Sequence, residues 1–339
     1  MRAFAGAAVT AVLVLGLCGP STAIAPTDSL PRGADTVVPY VVTSDAPAIR
    51  APGVDIPLPP EVTGSDDVFL LVGRTELGWL VDGVRGDGEG GTDHEVLNLV
   101  TATGSTRLLD FGHYDGSPSY RLATSGKRIL RYPIGDMSEY LTVYDLSGRV
   151  VANRRVARTL HDSAQVWDFS GSRVLYANRS WRIGHRPRVL TKRTVAFADI
   201  GHNALAVRVS HKRRAFATLS HPNRLRWRAR FQPDVISPNG NRVAGWAVGR
   251  RGGLRGVIQV RRVKNGKILA SIDVSNVIGS DAYIQGADSL VRWESNRAFV
   301  FNGRNSSGSD VIIRCTITKV CARASDPAPY LSFAPTSGR

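Results

Sequence analysis

The chain has 339 residues and a formal net charge of +16; 42% of its residues are apolar and 21% are charged. This composition, with 34 Gly and 18 Pro, excludes a largely disordered chain and a collagen-like one. The length permits two ordinary domains or one large all-β domain. Of the 44 basic residues 38 are Arg, and because GC-rich coding sequences produce the same skew, no single Arg gains a chemical role from it.

Residues 1–25 have the pattern of a secretory signal peptide. Arg2 precedes an apolar run that is shorter than the about 20 residues of a transmembrane helix. The small residues Ser21–Ala23 then fit a cleavage site, with cleavage after Ala25 as an alternative. A lipid anchor on Cys18 is the rival interpretation, but a leucine precedes it where a lipobox has a small residue. We therefore expect a secreted, extracellular protein without a transmembrane segment after signal removal.

The remaining cysteines agree with export. Cys315 and Cys321 lie in two short strand-like runs around a polar turn. Paired strands bring facing Cβ atoms within disulfide reach, and exported proteins meet oxidising conditions. The sequence therefore predicts a Cys315–Cys321 disulfide, with two free buried thiols as the alternative.

An internal repeat occupies most of the chain. Each copy has a strand-like run, a small polar turn, an Arg and a second apolar run. Gly126, Gly171 and Gly240 stand in three of these turns, where a tight hairpin favours positive φ. A first copy fits at 73–81 and a degenerate copy at 201–209. The four clear copies are 119–132, 164–178, 233–247 and 288–302, with the repeated Arg at positions 128, 173, 242 and 297.

A second hairpin pattern follows each first one. Two successive hairpins make a four-stranded antiparallel unit of about 40–50 residues, the period of a β-propeller blade. The turns of this second hairpin centre on Gly104, Gly148, Asn265-Gly266 and the segment between the two cysteines. The second pattern covers 95–111, 140–156, 256–272 and 311–323.

One blade carries a family-like motif. The segment ISPNGNRVAGW at Ile236–Trp246 resembles the apolar-Ser-Pro-Asp-Gly-x-Arg-apolar motif of TolB-like and WD-repeat-like β-propellers, with Asn in place of the usual Asp. The resemblance spans residues 65–324 and weakens outside this blade. It implies a toroidal all-β fold that mostly serves as a binding or assembly platform, and it transfers no catalytic residue.

We predict an all-β propeller of four-stranded antiparallel blades over residues 65–324. Residues 26–64 contain short strand-like runs, and the tail at 325–339 contains PYLSF. These terminal strands together predict a seventh blade, which we favour over a six-bladed ring. The six blades within the repeat region are expected at 65–111, 117–157, 163–192, 194–230, 231–274 and 281–324.

Charge is distributed very unevenly along the chain. Residues 149–267, here called the Arg-rich arc, hold 27 basic residues and four Asp without Glu, a net charge of +23, whereas the remainder has a net charge of −7. Consecutive blades lie side by side, so one side of the ring is expected to attract polyanions. The candidate anion-binding residues are Arg213, Arg214, Arg224, Arg226, Arg228 and Arg230, which we predict to be mostly exposed at their guanidinium ends.

The sequence favours a non-enzymatic exported platform for a protein or an anionic polymer. The anionic candidates are cell-wall polymer, acidic polysaccharide, anionic lipid headgroups and nucleic acid. Trp181, Trp227 and Trp246 could stack on nucleic-acid bases; the alternative is that they pack between blades. The alternative is a propeller-type hydrolase or lyase with a site at the channel mouth. No catalytic, cofactor or metal site is assigned, and a monomer is expected.

Several acidic and histidine residues are weak site candidates. Adjacent His and acidic residues are common in loops and do not by themselves indicate a site. The acidic Gly-rich stretch has the oxygen ligands that Ca²⁺ prefers, but we favour a solvated hairpin loop because its spacing matches no Ca²⁺ ligand pattern. The His–acid groups are Asp93-His94-Glu95, His113 with Asp115 and His161 with Asp162, and the acidic stretch comprises Asp82, Asp87, Glu89 and Asp93.

Overall fold

Seven four-stranded antiparallel blades form a ring, so the chain is a seven-bladed β-propeller as predicted. Among the described residues the only helical element is a short 3-10 turn at Thr27–Ser29. The computed structural model describes residues 21–59, 68–86, 92–111, 117–134, 140–156, 165–278 and 291–334.

The described strands are short and follow the two-hairpin repeat. Their bounds are β1 Thr22–Ala23, β2 Tyr40–Thr43, β3 Ala48–Ala51, β4 Val54–Pro57, β5 Val68–Arg74, β6 Trp79–Gly86, β7 Thr92–Thr101, β8 Gly104–Phe111, β9 Ser117–Leu122, β10 Arg128–Ile134, β11 Tyr140–Asp145, β12 Val150–Arg155, β13 Val166–Phe169, β14 Arg173–Tyr176, β15 Arg179–Arg182, β16 Arg188–Val189, β17 Val195–Asp199, β18 Ala204–Ser210, β19 Arg213–Thr218, β20 Trp227–Ala229, β21 Phe231–Ile236, β22 Arg242–Val248, β23 Leu254–Arg262, β24 Ile268–Asp273, β25 Arg292–Trp293, β26 Ala298–Arg304, β27 Asp310–Thr316, β28 Cys321–Arg323 and β29 Tyr330–Phe333.

Strands β5 to β28 form blades 1 to 6 in groups of four, and both ends of the chain build blade 7. In blade 7 the C-terminal strand β29 is the first strand of the sheet, followed by β2, β3 and β4. The register pairs Tyr40 with Phe333 and Thr43 with Tyr330. This shared blade closes the ring, because the last strand of the chain is held by hydrogen bonds to the first blade-forming segment.

The repeated turn glycines occupy equivalent places, as predicted. Gly126, Gly171 and Gly240 connect the first and second strands of blades 2, 3 and 5, with φ values of +68°, +88° and +72°. In blade 4 the corresponding turn contains Asn203 at φ +51°. Gly and Asn tolerate this left-handed conformation, which explains why these residue types recur at the turn.

At two of its four positions the repeated Arg connects one blade to the next. Arg128 Nη1 of blade 2 donates to the carbonyl oxygen of Gly171 in the first turn of blade 3, at 2.8 Å. Arg242 of blade 5 donates in the same way to the carbonyl of Asn296 in blade 6. In blade 3, Arg173 Nε instead donates to Ser180 Oγ of its own blade, at 2.7 Å. The repeat therefore has a structural role where blades meet.

The apolar core lies largely between neighbouring blades. Trp181 belongs to a buried cluster shared by blades 2 and 3, and Trp246 to one shared by blades 5 and 6. Trp227 stacks on Phe216 with ring centroids 4.2 Å apart. Trp181 and Trp246 are buried, and the half-buried Trp227 is packed on Phe216, so none of the three offers the open stacking surface that a nucleic-acid site would use.

The predicted disulfide is present in blade 6. Cys315 faces Cys321 across β27 and β28, and the two sulfur atoms are bonded. Both side chains are buried. The bond ties the outer strand of this blade to its neighbour.

The amino-terminal segment adds a strand to blade 5. β1 runs parallel to β24, and Ile24 behind it is buried in the core. The predicted signal hydrophobic run, including Cys18, falls outside the described residues, which begin at 21. Cleavage after Ala23 would remove β1 and retain Ile24. No helix in the described ranges has the length and apolarity needed to cross a membrane.

Candidate functional site

The basic segment 224–230 follows the outer edge of blade 4. β20 is the last strand of the sheet and pairs there with β19. Trp227 anchors the segment, because its ring packs on Phe216 and its Nε1 donates to the Val263 carbonyl at 2.8 Å. With Trp227 turned inward, strand alternation directs the even-numbered residues outward.

Five of the six predicted anion-binding arginines are exposed. Hydrogen-bonded strand pairing covers only Trp227–Ala229, but the alternation of exposed and half-buried residues continues through the whole segment. At about 3.3 Å per residue in an extended chain, alternate residues are about 6.6 Å apart. The exposed residues are Arg213, Arg224, Arg226, Arg228 and Arg230.

The predicted exposure of Arg214 is wrong. Its residue exposure is 7%, and its Nε donates to Gln232 Oε1 at 3.1 Å while Nη1 donates to the His211 carbonyl at 3.2 Å. Burial lowers the pKa of this guanidinium. Consecutive strand residues point to opposite faces, so an exposed Arg213 requires the next side chain to turn inward.

The acidic residues of the Arg-rich arc are engaged elsewhere. Asp199 accepts the backbone N–H of His202 at 2.8 Å and lies 2.9 Å from His202 Nδ1. Asp168 and Asp234 lie on the inner strands β13 and β21, away from the edge strand β20. Asp162 falls outside the described residues. Each described carboxylate of the arc therefore has partners other than the arginines of the blade 4 edge.

A second group of charged residues lies on the inner strands that surround the ring axis. Arg121 Nη1 on β9 donates to the Trp167 carbonyl of blade 3 at 2.7 Å and lies 3.9 Å from Asp168 Oδ1. Asp168 in turn accepts the Ile200 N–H of blade 4 at 2.6 Å. These side chains link adjacent inner strands around the channel.

The group continues on the far side of the ring. Asp234 Oδ2 on β21 accepts the Val291 N–H at 2.8 Å, and Arg292 Nε on β25 donates to the Ala334 carbonyl at 2.8 Å. Burial raises the pKa of Asp234 to about 6 and lowers that of Arg292 to about 10. Sequence inspection missed this group because its members are far apart in the chain and share no motif.

The proposed His94–Glu95 pair does not form a site. Glu95 is 0% exposed, accepts a hydrogen bond from Tyr120 and lies 3.5 Å from Arg131 Nη2, whereas His94 Nε2 lies 2.8 Å from Asp110 Oδ1. The two neighbours occupy β7 and therefore project to opposite faces. Burial raises the pKa of Glu95.

Asp82 is also placed differently from the prediction. It lies in β6 and is buried rather than in a solvated loop, and burial raises its pKa well above the ordinary value, assisted by the neighbouring Glu95 charge. In the described part of the chain, no three His, Cys, Asp or Glu side chains converge to hold a metal. The candidates that lie outside the described side chains are Asp87, Glu89, Asp93, His113, Asp115, His161 and Asp162.

Solved structures share the fold at very low sequence identity. A functionally unknown protein from Desulfotomaculum acetoxidans aligns with a TM-score of 0.56 at 8% identity, over 88% of this chain and 99% of that one. A chain of the mitotic checkpoint complex gives 0.51 at 9% identity, over 80% and 82% of the two chains.

TolB from Acinetobacter baumannii gives a TM-score of 0.46 at 13% identity, over 88% of this chain and 66% of that one. No family model and no curated protein matches the sequence. The β-propeller fold is shown by the seven-bladed topology itself.

Proposed function

We propose that the protein is an exported, non-enzymatic β-propeller that binds a linear polyanion along the edge of blade 4. The observation that carries this proposal is the row of exposed side chains at Arg224, Arg226, Arg228 and Arg230, in the segment that contains the outer strand β20. A guanidinium remains charged at any physiological pH and can form paired hydrogen bonds with phosphate. The row supplies positive charge at intervals of about 6.6 Å along one line.

The charge balance supports the same surface. The Arg-rich arc has four Asp among 27 basic residues, and its described carboxylates engage groups away from this edge. Neighbouring Arg213 on β19 is exposed and adds to the row. An unneutralised row of this kind attracts polyanions and releases their bound counterions. Phosphate-bearing cell-wall polymer is the partner chemistry that fits best, and single-stranded DNA, which carries the same phosphate charge, serves as a probe of the row.

Export is inferred from the sequence pattern of residues 1–25 and from the disulfide in blade 6. Disulfides persist in oxidising compartments and are rare in the cytosol. The partner would accordingly be met outside the cytoplasm, where anionic cell-wall polymers occur.

The alternative hydrolase gains no support from the inner-strand carboxylates. Asp168 accepts backbone N–H groups of Phe169 and Ile200, and Asp234 accepts that of Val291. Carboxylates that accept backbone N–H groups in this way stabilise the ring. A catalytic acid or base must instead lie within hydrogen-bond distance of a substrate proton.

The test is binding of the purified protein to phosphate-bearing cell-wall polymer at one low salt concentration. Changing Arg224, Arg226 and Arg228 together to Gln should weaken binding at least tenfold, because three charged contacts are lost. The matched control changes Arg182, Arg186 and Arg188 to Gln, which removes the same charge from exposed positions of blade 3.

Equal weakening in both triple variants would show that only net charge matters and would overturn the assignment to blade 4. Unchanged binding in the blade 4 variant would overturn it as well. Circular dichroism of each variant confirms that the all-β fold is retained.

A further inference from the structure

Arg292 presents an unused pair of N–H groups inside the ring. It lies on β25, the inner strand of blade 6, with 5% of its surface exposed. Its Nε donates to the Ala334 carbonyl at 2.8 Å and its Nη1 to the Val291 carbonyl at 3.1 Å. The third nitrogen, Nη2, is buried and has no hydrogen-bond partner within the described ranges. An unsatisfied charged donor is costly in a protein interior, so a ligand that accepts from it would be bound favourably.

The charges around Arg292 come from several inner strands. Asp234 on β21 attracts its guanidinium and Arg121 on β9 repels it, so both lie within Coulombic range. Asp168 on β13 lies 3.9 Å from Arg121. Burial raises the pKa values of both aspartates. The group therefore gains net positive charge as Asp234 takes up a proton below about pH 6, where Arg292, with a pKa of about 10, is still charged.

We propose that Nη2 of Arg292 binds a small oxyanion in the central channel, with Arg121 supplying the second positive charge. The ligand class is sulfate, phosphate or the carboxylate of a small molecule, since each offers oxygen acceptors to a guanidinium edge. Asp234, on the neighbouring inner strand β21, is half-buried. The site is separate from the blade 4 edge, and neither proposal depends on the other.

The fixed geometry of Arg292 favours this role. Two of its nitrogens are held by carbonyls of Val291 and Ala334, so the guanidinium plane is oriented before a ligand arrives. A preoriented donor loses little conformational entropy on binding. In a partly desolvated channel the attraction for an anion is also stronger than in bulk water.

The experiment titrates the whole protein with sodium sulfate in a calorimeter, at constant ionic strength. Sulfate keeps its charge between pH 5 and 7.5, so any pH effect arises in the protein. We expect saturable one-site binding that is tighter at pH 5 than at pH 7.5. Arg292→Lys should weaken it about 10- to 100-fold, the value of one or two charge-assisted hydrogen bonds. Arg121→Gln, which leaves Arg292 in place, should weaken it about tenfold and serves if the first variant fails to fold.

The triple blade 4 variant is the matched control and should bind sulfate as the parent does. Its failure to bind would place the ion on the outer edge and overturn the channel site. Absence of one-site binding, or equal affinity in the Arg292 and Arg121 variants and the parent, would also overturn it. A crystal structure grown with sulfate should show the ion at Arg292 Nη2; a protein carboxylate bonded there instead would contradict the proposal.

Discussion

Changing Asp234 to Asn should make the protein more stable at neutral pH than the parent. Asp234 accepts the Val291 N–H at 2.8 Å, and the Asn side-chain oxygen can accept the same bond. What the substitution removes is the ionisable proton. Burial raises the pKa of Asp234 from 3.8 to about 6, although the Arg292 charge and the hydrogen bond oppose this shift.

The sign follows from proton binding. The folded protein holds the Asp234 proton more tightly than the unfolded chain, so this group favours folding below about pH 4 and loses that contribution as the pH rises through about 6. A shift of about 2 pKa units corresponds to about 3 kcal/mol. Because Asp234 is half-buried and partly screened by solvent, this figure is an upper value.

Urea denaturation of the parent and of Asp234→Asn, followed by tryptophan fluorescence from pH 4 to pH 7.5, measures the effect. The variant should gain up to about 3 kcal/mol on the parent between these pH values. Asp45→Asn changes an exposed carboxylate and provides the control for nonspecific charge effects. Parallel pH profiles for Asp234→Asn and the parent would refute the account of the inner-strand charges.

Three further experiments test the packing of the ring, each by urea denaturation. Gly266→Ala should lower the free energy of unfolding by about 2–4 kcal/mol, because φ is +72° and the new Cβ would lie 2.6 Å from the Trp227 ring. The control Gly308→Ala, at φ +83° in open space, should lower it by only about 1–2 kcal/mol. Equal losses of stability in the two variants would contradict the packing argument. Replacing Cys315 and Cys321 by Ala should cost about 2 kcal/mol, and an unchanged midpoint would show that the bridge adds nothing. Arg242→Met removes the hydrogen bond to the first turn of blade 6 and should cost about 1–3 kcal/mol, a loss that should be absent if the contact is incidental.

The blade pattern was predictable because it is local. A polar turn between two strand-like runs appears in the sequence as neighbouring residues, and Gly126, Gly171 and Gly240 mark it directly. Blade 7 was predictable only as one of two alternatives. Its strands come from opposite ends of the chain, and their pairing depends on the completed ring.

Side-chain direction limited the prediction of sites. Arg213 and Arg214, like His94 and Glu95, are neighbours in sequence and lie on opposite faces of a strand. From the sequence alone, both arginines were predicted to bind anions, and His94 and Glu95 were considered as one site. The charged group on the inner strands could not be predicted for a different reason. Arg121 and Arg292 approach each other only because the ring brings blades 2 and 6 to a common axis.

The salt dependence of single-stranded DNA binding tests the polyanion proposal most directly. Each phosphate contact contributes about −0.7 to the slope of log K against log salt concentration for single strands. Changing Arg224, Arg226 and Arg228 to Gln should therefore make the slope less steep by about 2. The control variant with Arg182, Arg186 and Arg188 changed to Gln should keep the parent slope. Identical slopes for the parent and the blade 4 variant, or no DNA binding by the parent at low salt, would contradict the account.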